Sequence, residues 1–236
     1  MRAEIKNKVE VAENTLQVDY DLRGELIEFK PGQFFVVDLI DPPYEDERGS
    51  RRHFSIVNSP NEKETITMVT RLRDSAFKRS LREMPTGSEV EIGKIGGDDF
   101  TLPEDTARPL AFIAGGIGIA PFMRMLRYDI EEGLGVRIVL FYSNRKRQAA
   151  PFLEELGERA SGNDRLELVI TMTDDPSWEG ETGRIDGEFL EAHLQDPASY
   201  TFYVAGPPEM NKAVSAEVEK LGVDKEFIMA SEFAGY

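Results

Sequence analysis

Up to about residue 104, apolar and polar positions alternate in short runs: AEIKNKVEVA, TLQVDYDL, QFFVVDLI, RHFSIVN, ETITMVTRL and SEVEIGK. Turn signals stand between them, Pro31-Gly32, Pro42-Pro43, Ser59-Pro60-Asn61 and Thr86-Gly87-Ser88. A period of two over such lengths predicts strands with one buried face, and this succession predicts an antiparallel barrel or sandwich. One segment breaks the rhythm. SAFKRSLREM, residues 75–84, reads as a helix with Asp74 as its N-cap and Pro85-Thr86-Gly87 as its stop.

From about residue 108 the apolar runs lose their polar alternation and are followed by amphipathic segments. PLAFIAGG leads into PFMRMLRYDIEEG, RIVLFYSN into APFLEELGERA, LELVITMTDD into DGEFLEAHL, and TFYVAGP into PEMNKAVSAEVEKLG, with FIMASEF last. Strands apolar on both faces predict a parallel sheet covered by helices. The polar, proline-flanked stretch LPEDTARP places the division between the halves, predicting domains 1–104 and 105–236.

Composition narrows the chemistry. The chain has no cysteine, which excludes disulfides and any cysteine-ligated iron–sulfur cluster within it, and its two histidines, His53 and His193, are far apart, so no metal site is expected. Redox chemistry in this chain therefore needs an organic cofactor. A net charge of −16 disfavours nucleic acid as a partner. No segment approaches the ~18 apolar residues of a membrane helix, and MRAEIKNKVEVAENTL lacks a signal-peptide core, so the expected location is cytoplasmic. Against the acidic background stand Arg51-Arg52, then Arg71, Arg73, Lys78, Arg79 and Arg82, then Arg145-Lys146-Arg147. Such clusters suit small phosphorylated ligands, or are simply solvated faces.

Three of these positions border recognisable turns. Gly115, Gly116 and Gly118 lie between a strand and a helix opening at Pro121, where free N–H groups favour an anion. Their spacing, GGIGIAPF, is not the six-residue dinucleotide fingerprint, and a purely structural turn stays open. The next strand ends in Ser143, Asn144 and Arg145, a combination suited to the 2′-phosphate of NADPH, or to a solvated loop. Gly206, Pro207, Pro208 and Met210 form a third strand-to-helix turn, weak by itself. In RRHFSIVNSP, strand alternation puts Arg52 and Phe54 on one face and Ser55 on the other. An aromatic wall, a hydroxyl and a guanidinium suit a flat cofactor with a phosphate tail; an edge strand with Phe54 in the core fits equally.

Together these residues resemble the ferredoxin–NADP⁺ reductase-like flavoenzymes over essentially the whole chain. Arg52-His53-Phe54-Ser55 is similar to their Arg-x-Tyr-Ser flavin motif, GGIGIAPF to their nucleotide pyrophosphate loop, YVAGPPEM to their Cys-Gly-Pro-Pro motif, and SEFAGY to their carboxyl-terminal Glu-plus-aromatic segment. The resemblance implies a flavin-binding β-barrel followed by a nucleotide-binding α/β domain. It implies Arg52 at the flavin phosphates, Phe54 against the isoalloxazine and Ser55 at N5, with His53, Val69 and Arg71 beside them. Ser75, Ala76, Phe77 and Lys78 would cover the pyrophosphate, and Phe233 or Tyr236 the other flavin face. Gly115, Gly116, Gly118 and Pro121 would cradle NADPH, Ser143, Asn144 and Arg145 would take its 2′-phosphate, and Gly206, Pro207, Pro208 and Met210 would border the nicotinamide. Ser55, Glu232 and Tyr236 are the implied catalytic residues.

The implied activity is hydride transfer from NADPH, preferred over NADH, to FAD, with FMN second. Single electrons would then pass to a small acidic carrier such as ferredoxin or flavodoxin, or to an oxygenase component, docked on Arg71, Arg73, Arg79 and Arg82. A reductase of free flavin and a non-catalytic subunit of a larger redox complex are the alternatives. The departures from the family pattern are Lys78 near a usual hydroxyl, Gly93-Lys94-Ile95-Gly96 for a Gly-Pro-x-Gly turn, Ala205 for a frequent cysteine, and Phe54 for tyrosine.

Overall fold

The computed structural model describes residues 1–103 and 107–232. The predicted division at 104/105 and the residues Phe233 and Tyr236 lie outside the described residues.

The first half is a six-stranded antiparallel sheet of β1 (Arg2–Ala12), β2 (Thr15–Asp21), β3 (Phe34–Leu39), β4 (Arg51–Ser55), β5 (Thr65–Arg71) and β6 (Glu89–Ile92), in the order β4-β3-β6-β1-β2-β5. Alternation decides which side faces in: Leu16, Val18 and Tyr20 of β2 are buried with Ile5, Phe35, Val37, Phe54, Ile66 and Met68. The two end strands approach each other where Val57 N donates to Thr67 O at 2.9 Å, so the sheet curls toward closure.

Helix α1 (Ala76–Glu83) sits between β5 and β6. Ser75, rather than the expected Asp74, is its cap: an extended backbone (φ −150°, ψ 149°) lets the Ser75 hydroxyl accept from Lys78 N at 3.3 Å. At its other end Lys8 Nζ donates to the carbonyls of Leu81, Arg82 and Met84 at 3.2, 2.7 and 2.5 Å, satisfying oxygens that have no partner within the helix.

The second half alternates β7 (Leu110–Gly115), α2 (Ile119–Glu132), β8 (Ile138–Asn144), α3 (Leu153–Ser161), β9 (Leu166–Met172), β10 (Glu181–Thr182), α4 (Gly187–His193), β11 (Thr201–Gly206), α5 (Pro208–Lys220) and β12 (Ile228–Glu232). All six strands pair in parallel, in the order β10-β9-β8-β7-β11-β12. Strand β10 has no counterpart in the hydrophobic pattern. Both its residues are exposed, and it exists by pairing with Thr171 and Met172. Helix α2 starts two residues before Pro121, which is tolerated in a first turn whose N–H groups have no helical partner.

The order reverses between β7 and β11, opening a crevice at their carboxyl ends. One core lies on each face of the parallel sheet, and the core under α2 also takes in Val57, Val69, Phe100 and Leu102 from the first half. The two halves thus share apolar packing.

Candidate functional site

A cavity of about 970 Å³ opens beside β4. Its lining joins Arg52, His53, Phe54 and Ser55 of β4, Ser75 and Lys78 at the amino end of α1, Arg48 and Arg73 from adjoining loops, and Ser231 and Glu232 at the end of β12. Cations converge here in a chain that is acidic overall. Burial first, then the nearby Arg73, Arg52, Arg71 and Arg48, pull the Lys78 ammonium down to about 8.

Arg52 is held in place by its own loop: Nη1 donates to the carbonyls of Arg48, Gly49 and Arg51 at 2.8, 2.9 and 2.7 Å. Its Nη2 is buried with no hydrogen-bond partner among the described residues, and the nearest acid, Asp46, stands at 3.8 Å. The same Asp46 accepts from Ala76 N at 3.1 Å, so a carboxylate occupies the amino end of α1. Cationic side chains, an unsatisfied guanidinium nitrogen and a helix end already holding an anion make a donor set that fits the phosphates of a flavin dinucleotide. The cavity volume lies in the range of cofactor pockets, roughly 300–1,000 Å³.

The aromatic wall differs from expectation. Phe54 pairs with Phe35 across the sheet, which turns its ring into the barrel core against Phe77 (centroids 5.7 Å) and leaves it 3% exposed. His53 is exposed and meets Phe34 edge-on at 5.3 Å, and both border the cavity. The flat surface available to a ring system is therefore His53 with Phe34, with only part of Phe54 reached from the cavity.

At the β7/β11 crevice the glycines do two different jobs. Gly116 has φ +54°, a left-handed backbone, and a β-carbon there would meet only Arg71 Nη2 at 3.9 Å, so its surface stays open. Gly115 and Gly118 are packed instead: β-carbons would strike the Met210 sulfur and the Ala205 carbonyl. Gly206 lies against Gly115 and Met210, and pairs with Glu232 of β12, which places this crevice next to the cavity. Asn211, in the first turn of α5, donates to Ser231 O at 2.8 Å and so anchors that shared wall.

At the end of β8, Ser143 is half-buried, Asn144 is buried with Nδ2 unpartnered among the described residues, and Arg145 is 81% exposed. Arg145 pairs with Asp174 at 2.9 Å.

Comparisons with known proteins agree with this geometry. Residues 112–216 match the oxidoreductase NAD-binding domain family. The flavohaem-like FAD/NAD-binding domain of a nitric oxide dioxygenase from Vibrio cholerae O1 biovar El Tor superposes with a TM-score of 0.87 at 16% identity, covering 98% of each chain. A ferredoxin reductase in carbazole 1,9a-dioxygenase superposes with a TM-score of 0.82 at 26% identity, covering 99% of this chain and 69% of that one. The chain belongs to the ferredoxin–NADP⁺ reductase-like oxidoreductases.

Within that family it is 30% identical over 205 residues to one component of the Na⁺-translocating NADH-quinone reductase of Marinomonas sp. (strain MWYL1). The alignment covers 78% of this chain and 49% of that protein, so the chain spans about half the length of this relative.

Of the residues expected at the flavin of a ferredoxin–NADP⁺ reductase-like protein, Arg52, His53, Phe54, Ser55, Ser75, Lys78 and Glu232 meet at the cavity. Val69 and Phe77 do not, being buried at 3% and 1% exposure in two cores, and Ala76 contributes only its amide. Arg71 faces the other half: it donates to Glu13 O, Thr15 Oγ1 and Ala149 O at 2.9, 2.7 and 2.8 Å, next to Gly116. That geometry removes it from the expected docking patch. Arg48, Asp46, Phe34 and Asn211 have no local signal in the sequence; Arg73 stands in a basic cluster but reads there as a docking residue. His193 packs on Phe141 and Phe189 and belongs to no site. Among the described residues no group of side chains could hold a metal ion, and no helix is long and apolar enough to cross a membrane.

Proposed function

We propose that the protein passes electrons from NAD(P)H to a separate acceptor through an FAD, or secondarily an FMN, held in the cavity beside β4. The observation that carries this is the convergence of Arg48, Arg52, Arg73, Lys78 and the amino end of α1 on one cavity, one wall of which adjoins the β7/β11 crevice. A flavin bound there would accept hydride from a nicotinamide and release electrons singly. The chain's own contributions are positional and electrostatic. Arg52 and Lys78 bind phosphate, His53 and Phe34 flank the ring, and Ser55 offers its hydroxyl to the ring edge. Gly116 admits the nucleotide pyrophosphate to the start of α2, while Met210, Gly115 and Gly206 form the floor on which the nicotinamide rests. Glu232, exposed at the cavity rim, is placed to hold or deliver a proton.

Ser143 and Arg145 favour NADPH by residue type. Asp174 opposes that preference, because its carboxylate neutralises Arg145 and repels a 2′-phosphate. The Marinomonas relative is named for NADH. We therefore expect NADH to serve at least as well as NADPH. The acceptor is proposed to be a small acidic carrier or an oxygenase component, docking on the exposed Arg73, Arg79 and Arg82, with an encounter rate that falls with salt.

A second reading, a reductase of free flavin, is favoured by Asp46, since a carboxylate at the α1 amino end competes with phosphate. Equilibrium FAD titration of the desalted protein, followed by flavin fluorescence, separates the two. Submicromolar retention supports a resident cofactor, weak exchangeable binding supports the second reading, and no binding of either FAD or FMN overturns both.

A further inference from the structure

The residues after β4 and one face of α2 form a contact that neither flavin nor nucleotide binding requires. Arg124, Arg127 and Glu131 are spaced three and four apart, so they share a helical face. Arg124 Nη1 donates to Asn58 O, and Arg127 Nη1 donates to Val57 O at 2.9 Å. The Glu131 carboxylate accepts from the Ser59 hydroxyl and from Asn61 Nδ2, the latter at 3.2 Å. The receiving segment is itself rigid. Asn58 Nδ2 donates to Thr65 O at 2.8 Å, and Asn58 Oδ1 accepts from Thr67 N at 2.7 Å, so the segment is bolted to β5.

Arg124 is the unusual member. Its side chain is wholly buried, its guanidinium lies 4.0 Å over the Phe29 ring, and Nε and Nη2 have no hydrogen-bond partner among the described residues. Among those residues no carboxylate makes an ion pair with it. Glu131, the first of the charges that act on it, is engaged by Ser59 and Asn61. A cation buried with one carbonyl is a poor way to stabilise a fold, since an apolar side chain of similar size would fill the space without desolvating a charge. What the guanidinium supplies is direction: a fixed donor on a carbonyl three residues from Ser55.

The position of α2 gives that direction a use. The helix starts directly after Gly116–Gly118, while the segment it grips continues the strand carrying Arg52 to Ser55. We propose that Arg124, supported by Arg127 and Glu131, is a positioning residue that sets the nucleotide loop against the flavin strand and so fixes the gap between hydride donor and acceptor. This rests on the hydride-transfer reading above. Displacements of ~1 Å from productive geometry cost roughly 10²-fold in rate, so a contact far from the reacting atoms can govern it.

The test compares the FAD-reconstituted full chain with Arg124→Met and Arg124→Lys. Arg124→Met is expected to fold, to keep FAD and NADH affinities within about threefold, and to lose roughly 10- to 100-fold in the single-turnover rate of flavin bleaching by NADH. Arg124→Lys is expected to recover part of that rate, since it restores a donor. Amide hydrogen exchange across residues 56–62 is expected to speed up in Arg124→Met with or without FAD, a readout independent of turnover. A parental rate in Arg124→Met, or a loss explained wholly by weaker nucleotide binding, overturns the proposal. Should Arg124→Met not fold, Ser59→Ala and Glu131→Gln carry the same expectations with smaller amplitude, and unchanged rate and exchange in both would sink it. If neither nucleotide bleaches the parent, the proposed function fails, and unchanged exchange in 56–62 then disposes of the clamp as well.

Discussion

The cavity beside β4 and the crevice between β7 and β11 are built on opposite plans. The cavity gathers charge. Arg48, Arg52, Arg73 and Lys78 come from β4, α1 and two loops, and burial together with their mutual repulsion pulls the lysine down to about 8. The crevice gathers absence of bulk: Gly115, Gly118 and Gly206 are pressed against Met210 and Ala205, and packing sets its shape. A site made of charge is completed by its ligand. A site made of packing is complete before the ligand arrives, so the two should respond differently to substitution.

The largest difference should come from glycine. Gly118→Ala drives a β-carbon into the Ala205 backbone carbonyl, and rigid backbone cannot yield as a flexible side chain would. A stability loss of about 3 kcal/mol or more, or failure to fold, is expected in thermal unfolding. Gly116→Ala meets open space and suffers only left-handed backbone strain, about 1–2 kcal/mol. Equal losses would break the distinction between a packed and an open glycine.

Charge in the cavity should show in affinity more than in stability. Arg52→Gln is expected to weaken FAD binding roughly 10- to 100-fold, the value of a charge-assisted hydrogen bond of about 1.5–3 kcal/mol. The melting temperature of the FAD-free protein should change little or rise, because a repelling cation is gone.

The next effect is on pH. Phosphate holds the protonated Lys78, so FAD binding should be strongest below about 8, the value in the free protein, and weaken above it by at most about tenfold per unit. Lys78→Met should give a weaker profile that is flat through that range. An unchanged slope in the variant would assign the titration elsewhere.

The smallest effect belongs to an exposed pair. Asp174→Asn frees Arg145 and should shift selectivity toward NADPH by a few-fold, as expected for surface charges worth about 0.2–1 kcal/mol. The ratio of the two nucleotides' reduction rates reads this directly.

These contrasts also separate what the sequence discloses from what it withholds. Every strand of four or more residues and each of the five α-helices is legible, because the hydrophobic period changes from two to 3.6 along the chain. Strand β10, two exposed polar residues, carries no such signal. In β4, alternation correctly puts Arg52 and Phe54 together, but which face is the core depends on Phe54 pairing with Phe35, a contact 19 positions away. The crevice is legible because its glycines and prolines are contiguous at strand ends. Asp46, Arg48 and Arg124 are not, since their partners at Ala76, Arg52 and Asn58 are set by tertiary packing and leave no local mark.

The central claim is that a flavin in the cavity receives reducing equivalents from a nucleotide in the crevice. Its most direct test is anaerobic titration of the FAD-reconstituted protein with NADH and then NADPH, followed by visible absorbance. Stoichiometric bleaching of the flavin band by NADH at concentrations no higher than NADPH requires is the expected result. A flavin that binds and that neither nucleotide bleaches would contradict the account.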